Sequence, residues 1–210
     1  MFFSKTLDFL EHYLPEQSLK NQNTIETYRD ALTVFRRYLT VTMNLSLRTF
    51  GFEDCTHDFL LSYIEFLYKN GNSETTCNNR LAVIRAYLWY AADCDISLQS
   101  VALTAYRVPF LKVPKLTREV VPNDALMALL SAPPDTKIGR RDRLILILLY
   151  DAAVRVSELL FMNVSSVNLE ADIPYLRIYG KGHKERIVAI TDSRWDRTRT
   201  GFPYIGTFLY

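Results

Sequence analysis

Apolar residues recur at intervals of three and four between residues 24 and 41, where Ile25, Tyr28, Leu32, Phe35 and Leu39 share one face and charged residues fill the other. This pattern predicts an amphipathic helix. Asn23 or Thr24 suits its N-cap, because either side chain accepts a bond from an orphan N–H. A second helix is expected over 58–69, with Leu60, Tyr63, Ile64 and Leu67 inward. Asn70-Gly71-Asn72 closes it in a way that suits a left-handed cap. A third is expected over 73–93, with Leu81, Ile84, Tyr87 and Leu88 on one face.

The pattern then breaks. Pro109 and Pro114 disfavour helix and push the residues before them toward extended geometry, while Lys112 and Lys115 add positive charge. The stretch 107–117 therefore reads as a basic linker between a helical domain over 1–106 and a second domain over 118–190. In the second domain, helices are expected over 123–131 and 140–151, separated by Pro133-Pro134, with a shorter one over 157–161. The uncharged apolar run 144–150 reads as a buried helix. From there the period shortens. Residues 175–179 and 186–190 fit two strands, and Gly180-Lys181-Gly182-His183-Lys184 fits the turn of a β-hairpin between them. The fold class is thus mainly α with a small antiparallel sheet, followed by an unpatterned tail over 191–210.

Composition narrows the picture modestly. A hydrophobic fraction of 49% over 210 residues suits a folded protein and excludes a disordered one. The net charge of +2 does not identify a nucleic-acid binder, so any basic surface must come from clustering. Cys55, Cys77 and Cys94 are odd in number and form no C-x-x-C pair, which argues against a disulfide framework or a zinc site. No apolar stretch reaches the roughly 18–20 residues needed to span a bilayer. A soluble, cytoplasmic protein with no membrane partner is expected.

Two short stretches carry candidate chemistry. Ala152-Ala153-Val154-Arg155-Val156-Ser157-Glu158-Leu159 places Arg155 where an apolar helix gives way to a short one. A guanidinium held there presents a planar fork that suits two phosphate oxygens, and Glu158 is spaced to brace it. Taken alone, the pair reads more simply as a surface i, i+3 ion pair, worth only about 0.2–0.5 kcal/mol. Lys181 sits between glycines at the hairpin tip, where a lysine can reach a phosphate or protonate a leaving oxygen. An ordinary solvated turn lysine is the simpler reading of that residue by itself. The glycines lead into a strand, so the segment is not a nucleotide-binding P-loop.

Together, and in this order, A-x-R-x-S-E-L, the polar connection ending in Asn168-Leu169-Glu170, a strand, G-K-G-x-K-E-R and a second strand resemble the N-terminal half of the catalytic domain of the tyrosine recombinase (phage integrase) family. Residues 24–39, with Thr-x-x-x-Tyr and Phe35, are similar to the helical core-binding, SAM-like domain that precedes it. So are Ser73-x-x-Thr76 and Asn79-Arg80-Leu81 through Tyr90. The resemblance covers most of residues 20–190. It implies that Arg155 matches the first of two phosphate-clamping arginines, Glu158 the acidic residue supporting it, and Lys181 the general acid toward the leaving 5′-oxygen. It implies a metal-free reaction without cofactor, in which a tyrosine forms a 3′-phosphotyrosyl link to DNA and arginines stabilise the charged phosphorane.

The expected partner is double-stranded DNA, with a second copy of the chain or an intact recombinase beside it and no small-molecule substrate. Thr24, Thr76, Arg80 and Arg85 in the first domain, with Lys112 and Lys115 in the linker, are candidate phosphate contacts. Each is also readable as a solvated surface residue. The family's second half supplies a His-x-x-Arg and a nucleophilic tyrosine. The histidines here are His12, His57 and His183, so none lies beyond the hairpin. Tyr204 and Tyr210 are poor nucleophile candidates, and Arg194, Arg197 and Arg199 read as a weakly DNA-attracting tail. A truncated or frame-shifted origin is expected for 191–210, with cleavage not achieved by this chain alone. A non-catalytic DNA-binding or regulatory module that occupies recombination sites or pairs with an intact recombinase is the alternative.

Overall fold

The first twenty residues show no clean helical period, yet most of them are helical. The computed structural model describes residues 1–115, 119–180 and 184–189, and contacts group the chain into two units, Met1–Leu116 and Thr117–Tyr210. A 3-10 turn (Phe2–Lys5), a single α-turn named α1 (Thr6–Asp8) and a π-helical stretch (Phe9–Gln17) run end to end. The wider winding of the π stretch is why a 3.6-residue pattern misses it, and Pro15 within it donates no backbone bond.

Next come α2 (Gln22–Arg37), prolonged by a short π turn (Tyr38–Thr42), then α3 (His57–Lys69), α4 (Glu74–Cys94) and α5 (Gln99–Tyr106). The cap of α2 corrects the sequence expectation. Asn21, not Asn23 or Thr24, is the N-cap, with its Oδ1 accepting from the Thr24 backbone at 2.9 Å and the Thr24 hydroxyl at 2.8 Å. Thr56 and Ser73 cap α3 and α4 in the same way, and Gly71 closes α3 with a φ of 80°. Helix α4 buries side chains around much of its girth, from Cys77 through Leu81, Ile84 and Leu88 to Ala92, because it packs against α2, α3 and α5. The N-terminal segment is tied to it through Tyr87, whose hydroxyl donates to the Phe2 carbonyl at 2.6 Å. Phe2, Phe9, Phe35, Phe50, Phe52, Tyr63 and Tyr87 form a continuous tilted and edge-to-face aromatic core.

Among its described residues the second unit holds α6 (Asn123–Ser131), α7 (Lys137–Asp151), α8 (Val156–Leu160) and a three-stranded antiparallel sheet of β1 (Val167–Asn168), β2 (Tyr175–Tyr179) and β3 (Glu185–Ala189), in the order β1-β2-β3. Helix α7 begins three residues before the expected 140 because Thr136 caps it, its hydroxyl accepting from Gly139 N at 3.1 Å. The core is small: Ile147 and Leu148 from α7, Ala152 and Val154 from the turn that follows, and Leu176 and Ile178 from β2. Register decides which side of β3 faces inward. Leu176 pairs with Val188 and Ile178 with Arg186, so Arg186 lies on the same sheet face as the buried β2 residues. Among the described residues no helix is long and apolar enough to cross a membrane.

Candidate nucleic-acid interface

Helix α7 ends at Asp151, and the chain reverses through Ala153, which adopts a left-handed φ of 47° before α8 begins. Val154 is buried in this turn, and Arg155 stands at the N-cap of α8. An N-cap normally offers an oxygen to the first free N–H groups, and arginine has none to offer. Glu158, one turn on, completes the junction instead: its Oε2 accepts from the Arg155 backbone N–H at 2.9 Å.

The Glu158 carboxylate is the centre of the site. Its side chain is only 5% exposed and is held by two arginines. Arg155 Nη1 donates to Oε1 at 2.7 Å. Arg186, reaching across from β3, donates through Nη1 to Oε1 at 2.9 Å and through Nη2 to Oε2 at 2.7 Å, a two-pronged bond. The Arg186 bonds, followed by the Arg155 backbone N–H and then its side chain, hold the Glu158 carboxyl well below the ordinary carboxylate range, against the opposing effect of burial. The same bond raises the Arg186 guanidinium. Arg186 Nη2 also lies 3.3 Å from the carbonyl oxygen of Ala153, so it ties down the left-handed turn as well.

Arg155 differs from Arg186 in exposure. Its side chain is 69% exposed, and Glu158 engages it through Nη1 alone among the described residues. Most of its five N–H donors remain available to an outside acceptor. The result is a cation fixed at one corner and open to solvent on the rest of its fork, an arrangement that suits a phosphodiester.

Sequence reasoning brought Arg155 and Glu158 together correctly but missed Arg186. The one available signal was its position as an arginine in a strand otherwise rich in apolar residues. Gly180, at the base of the hairpin, permits a close approach within the chain: a Cβ there would sit 3.0 Å from Glu158 Oε1 and 3.5 Å from Arg186 Nη1. Its backbone N–H closes the hairpin onto the Lys184 carbonyl at 2.7 Å. Lys181, Gly182 and His183 lie outside the described residues, as do Arg194, Arg197, Arg199, Tyr204 and Tyr210.

In the first unit, Thr24 and Thr76 sit half-buried in the first turns of α2 and α4, where backbone N–H groups and the helix dipole favour an anion. Arg80 is half-buried and donates to Asn72 Oδ1 at 2.8 Å. Lys112 and Lys115 are exposed. Arg85 departs from the expectation of an outward-facing cation. It is 9% exposed, its Nε donates to the Ala105 carbonyl at 3.0 Å, and it also bonds the Val108 carbonyl. Its guanidinium lies over the rings of Tyr106 and Phe110. Arg85 closes the C-terminal end of α5 against α4. Asn78 pins the next stretch by exchanging two bonds with the backbone of Leu111.

Comparison with known proteins identifies this architecture. Residues 5–105 match the phage integrase SAM-like domain, and residues 119–200 match the phage integrase family. The chain belongs to the tyrosine recombinase (phage integrase) family. Among its relatives is the putative integrase/recombinase y4rD of Sinorhizobium fredii, 29% identical over 187 residues that cover 86% of this chain and 66% of the relative. The tyrosine recombinase XerC of Myxococcus xanthus is 30% identical over 188 residues, covering 89% of this chain and 59% of that protein. Among solved structures, the XerH site-specific recombinase bound to its palindromic difH substrate superposes with a TM-score of 0.57 at 18% identity, over 88% of this chain and 53% of XerH. That likeness concerns the fold. The chain spans between about half and two thirds of the length of these recombinases.

Proposed function

We propose that this chain binds duplex DNA and takes part in DNA integration or recombination, with Arg155 receiving the phosphodiester. The observation that carries the reading is the exposed Arg155 guanidinium anchored by the buried carboxylate of Glu158. Fixing the cation before DNA arrives lowers the reorganisation needed to stabilise charge on phosphate. Lys181, in the hairpin that follows β2, is proposed as the general acid toward the leaving 5′-oxygen. Thr24, Thr76 and Arg80 in the first unit, with Lys112 and Lys115, are proposed to contact the DNA backbone and set affinity more than sequence choice. The partner on DNA is a second copy or an intact recombinase.

These 210 residues contain no His-x-x-Arg after the hairpin. We propose accordingly that they do not cleave DNA unaided. The same observation supports a second reading, in which the chain acts as a non-catalytic module that occupies recombination sites.

A gel-shift titration on duplex DNA at rising salt tests the binding. A shift at low salt that weakens steeply with salt is expected, and no shift at low salt overturns both readings. A nicked duplex that traps a phosphotyrosyl intermediate tests the chemistry. No covalent product is expected. A covalent product lost on substitution of Tyr204 or Tyr210 would show that the chain cleaves by itself.

A further inference from the structure

Glu158 stands between two arginines of unequal exposure, Arg155 at 69% and Arg186 at 36%, and it touches three separate parts of the second unit. From α8 it holds the backbone and side chain of Arg155. From β3 it is gripped in two-pronged fashion by Arg186. From the end of β2 it is approached so closely by Gly180 that a Cβ would lie 3.0 Å away. Arg186 is the residue that makes this possible. An arginine on the inner face of β3, opposite Ile178 and with its side chain 36% exposed, sits stably there when its guanidinium finds acceptors. Here the fork spends its donors on both Glu158 oxygens and on the carbonyl of the left-handed Ala153. With both oxygens held from the strand side, the carboxylate has one orientation left, and Arg155 takes its direction from it.

We propose that Arg186 is a positioning residue, orienting the DNA-facing guanidinium of Arg155 through the shared Glu158 carboxylate and joining that guanidinium to the base of the Gly180 hairpin. This rests on Arg155 being the phosphate-binding group and adds a residue whose own Nη1 and Nη2 are engaged by Glu158 and the Ala153 carbonyl. The hairpin that carries Lys181 and the turn that carries Arg155 then share one carboxylate as a common reference point. A displacement of either is felt by the other.

A double-mutant cycle tests it. DNA affinity is measured for the full chain and for R155A, R186K, and R186K with R155A together. Lysine keeps the charge and removes the planar fork. R186K is expected to weaken binding roughly fivefold in the native background and to have no further effect once Arg155 is gone, the signature of coupled residues. Unchanged affinity in R186K, or an equal loss in both backgrounds, overturns the proposal, because Arg186 would then act by net charge or by its own contact with phosphate.

A second measurement needs no DNA. The Nη1–H signal of Arg155 in NMR spectra is expected to be protected from exchange in the native chain and to broaden in R186K, with circular dichroism confirming that both are folded. Protection retained in R186K overturns the positioning role even if the native chain binds no DNA. Absent DNA binding with the expected broadening overturns the proposed function alone. If R186K does not fold, G180A presses on the same carboxylate from the hairpin side. Loss of Arg155 protection there is expected, and its retention overturns the shared reference point.

Discussion

Glu158 shows how a single carboxylate is tuned by its neighbours. Its pKa in the folded chain lies below the unfolded value of about 4.3. The group therefore contributes stability above the unfolded value, and that stability is lost as pH falls through the depressed folded value. The second unit is expected to be destabilised by E158Q at pH 7. The gap in melting temperature between E158Q and the native chain should narrow as pH drops below about 4. Thermal melts from pH 7 to pH 3 check this, and a gap that widens toward acid would mean the carboxyl is raised, not lowered. Arg85 carries the opposite lesson. Its type and spacing suited an outer face, yet it is buried with its donors on the carbonyls of Ala105 and Val108. A charged residue near the edge of a helix face is placed by whatever carbonyls the next segment leaves unpaired, and those are unknown until the segment folds.

At the scale of elements, local signals performed well where they were strong. Helices α3, α4 and α6 and strand β2 were legible because their periods are long or their boundaries are marked by caps and prolines. The stretch Phe2–Gln17 was not, because π winding spoils the 3.6 period. Helix α7 starts earlier than its sequence pattern predicts, since Lys137-Ile138-Gly139 reads poorly as a helix start. Gly139 belongs there for a tertiary reason: a Cβ would lie 1.9 Å from the Pro134 carbonyl oxygen. G139A is expected to force α7 away from the Pro133-Pro134 turn and to cost about 1–3 kcal/mol, as overpacking does. Urea unfolding followed by circular dichroism measures it, and a loss under about 0.5 kcal/mol would show that the turn yields freely.

For the whole molecule, the two units have separate cores and separate candidate contacts. The binding proposed for them is electrostatic at the first unit, Lys112 and Lys115 included, and geometric at Arg155. Those contributions separate in salt. Each phosphate neutralised steepens the fall of log K against log salt by about 0.9 on duplex DNA. Replacing Lys112 and Lys115 together with alanine is expected to flatten the slope by about 2 while weakening binding evenly across sequences. An unchanged slope would show that these lysines do not meet phosphate.

Family, order of elements, the apolar faces of the long helices and the pairing of Arg155 with Glu158 were all present in the sequence, because each depends on residues within a turn or two of one another or on a run of motifs in fixed order. Tertiary structure alone decided the rest. Which face of β3 turned inward depended on register across the hairpin. That register brought Arg186, twenty-eight residues away in sequence, onto the Glu158 carboxylate. No local pattern encodes such a meeting, since it is set by where two elements pack and not by what either would do alone.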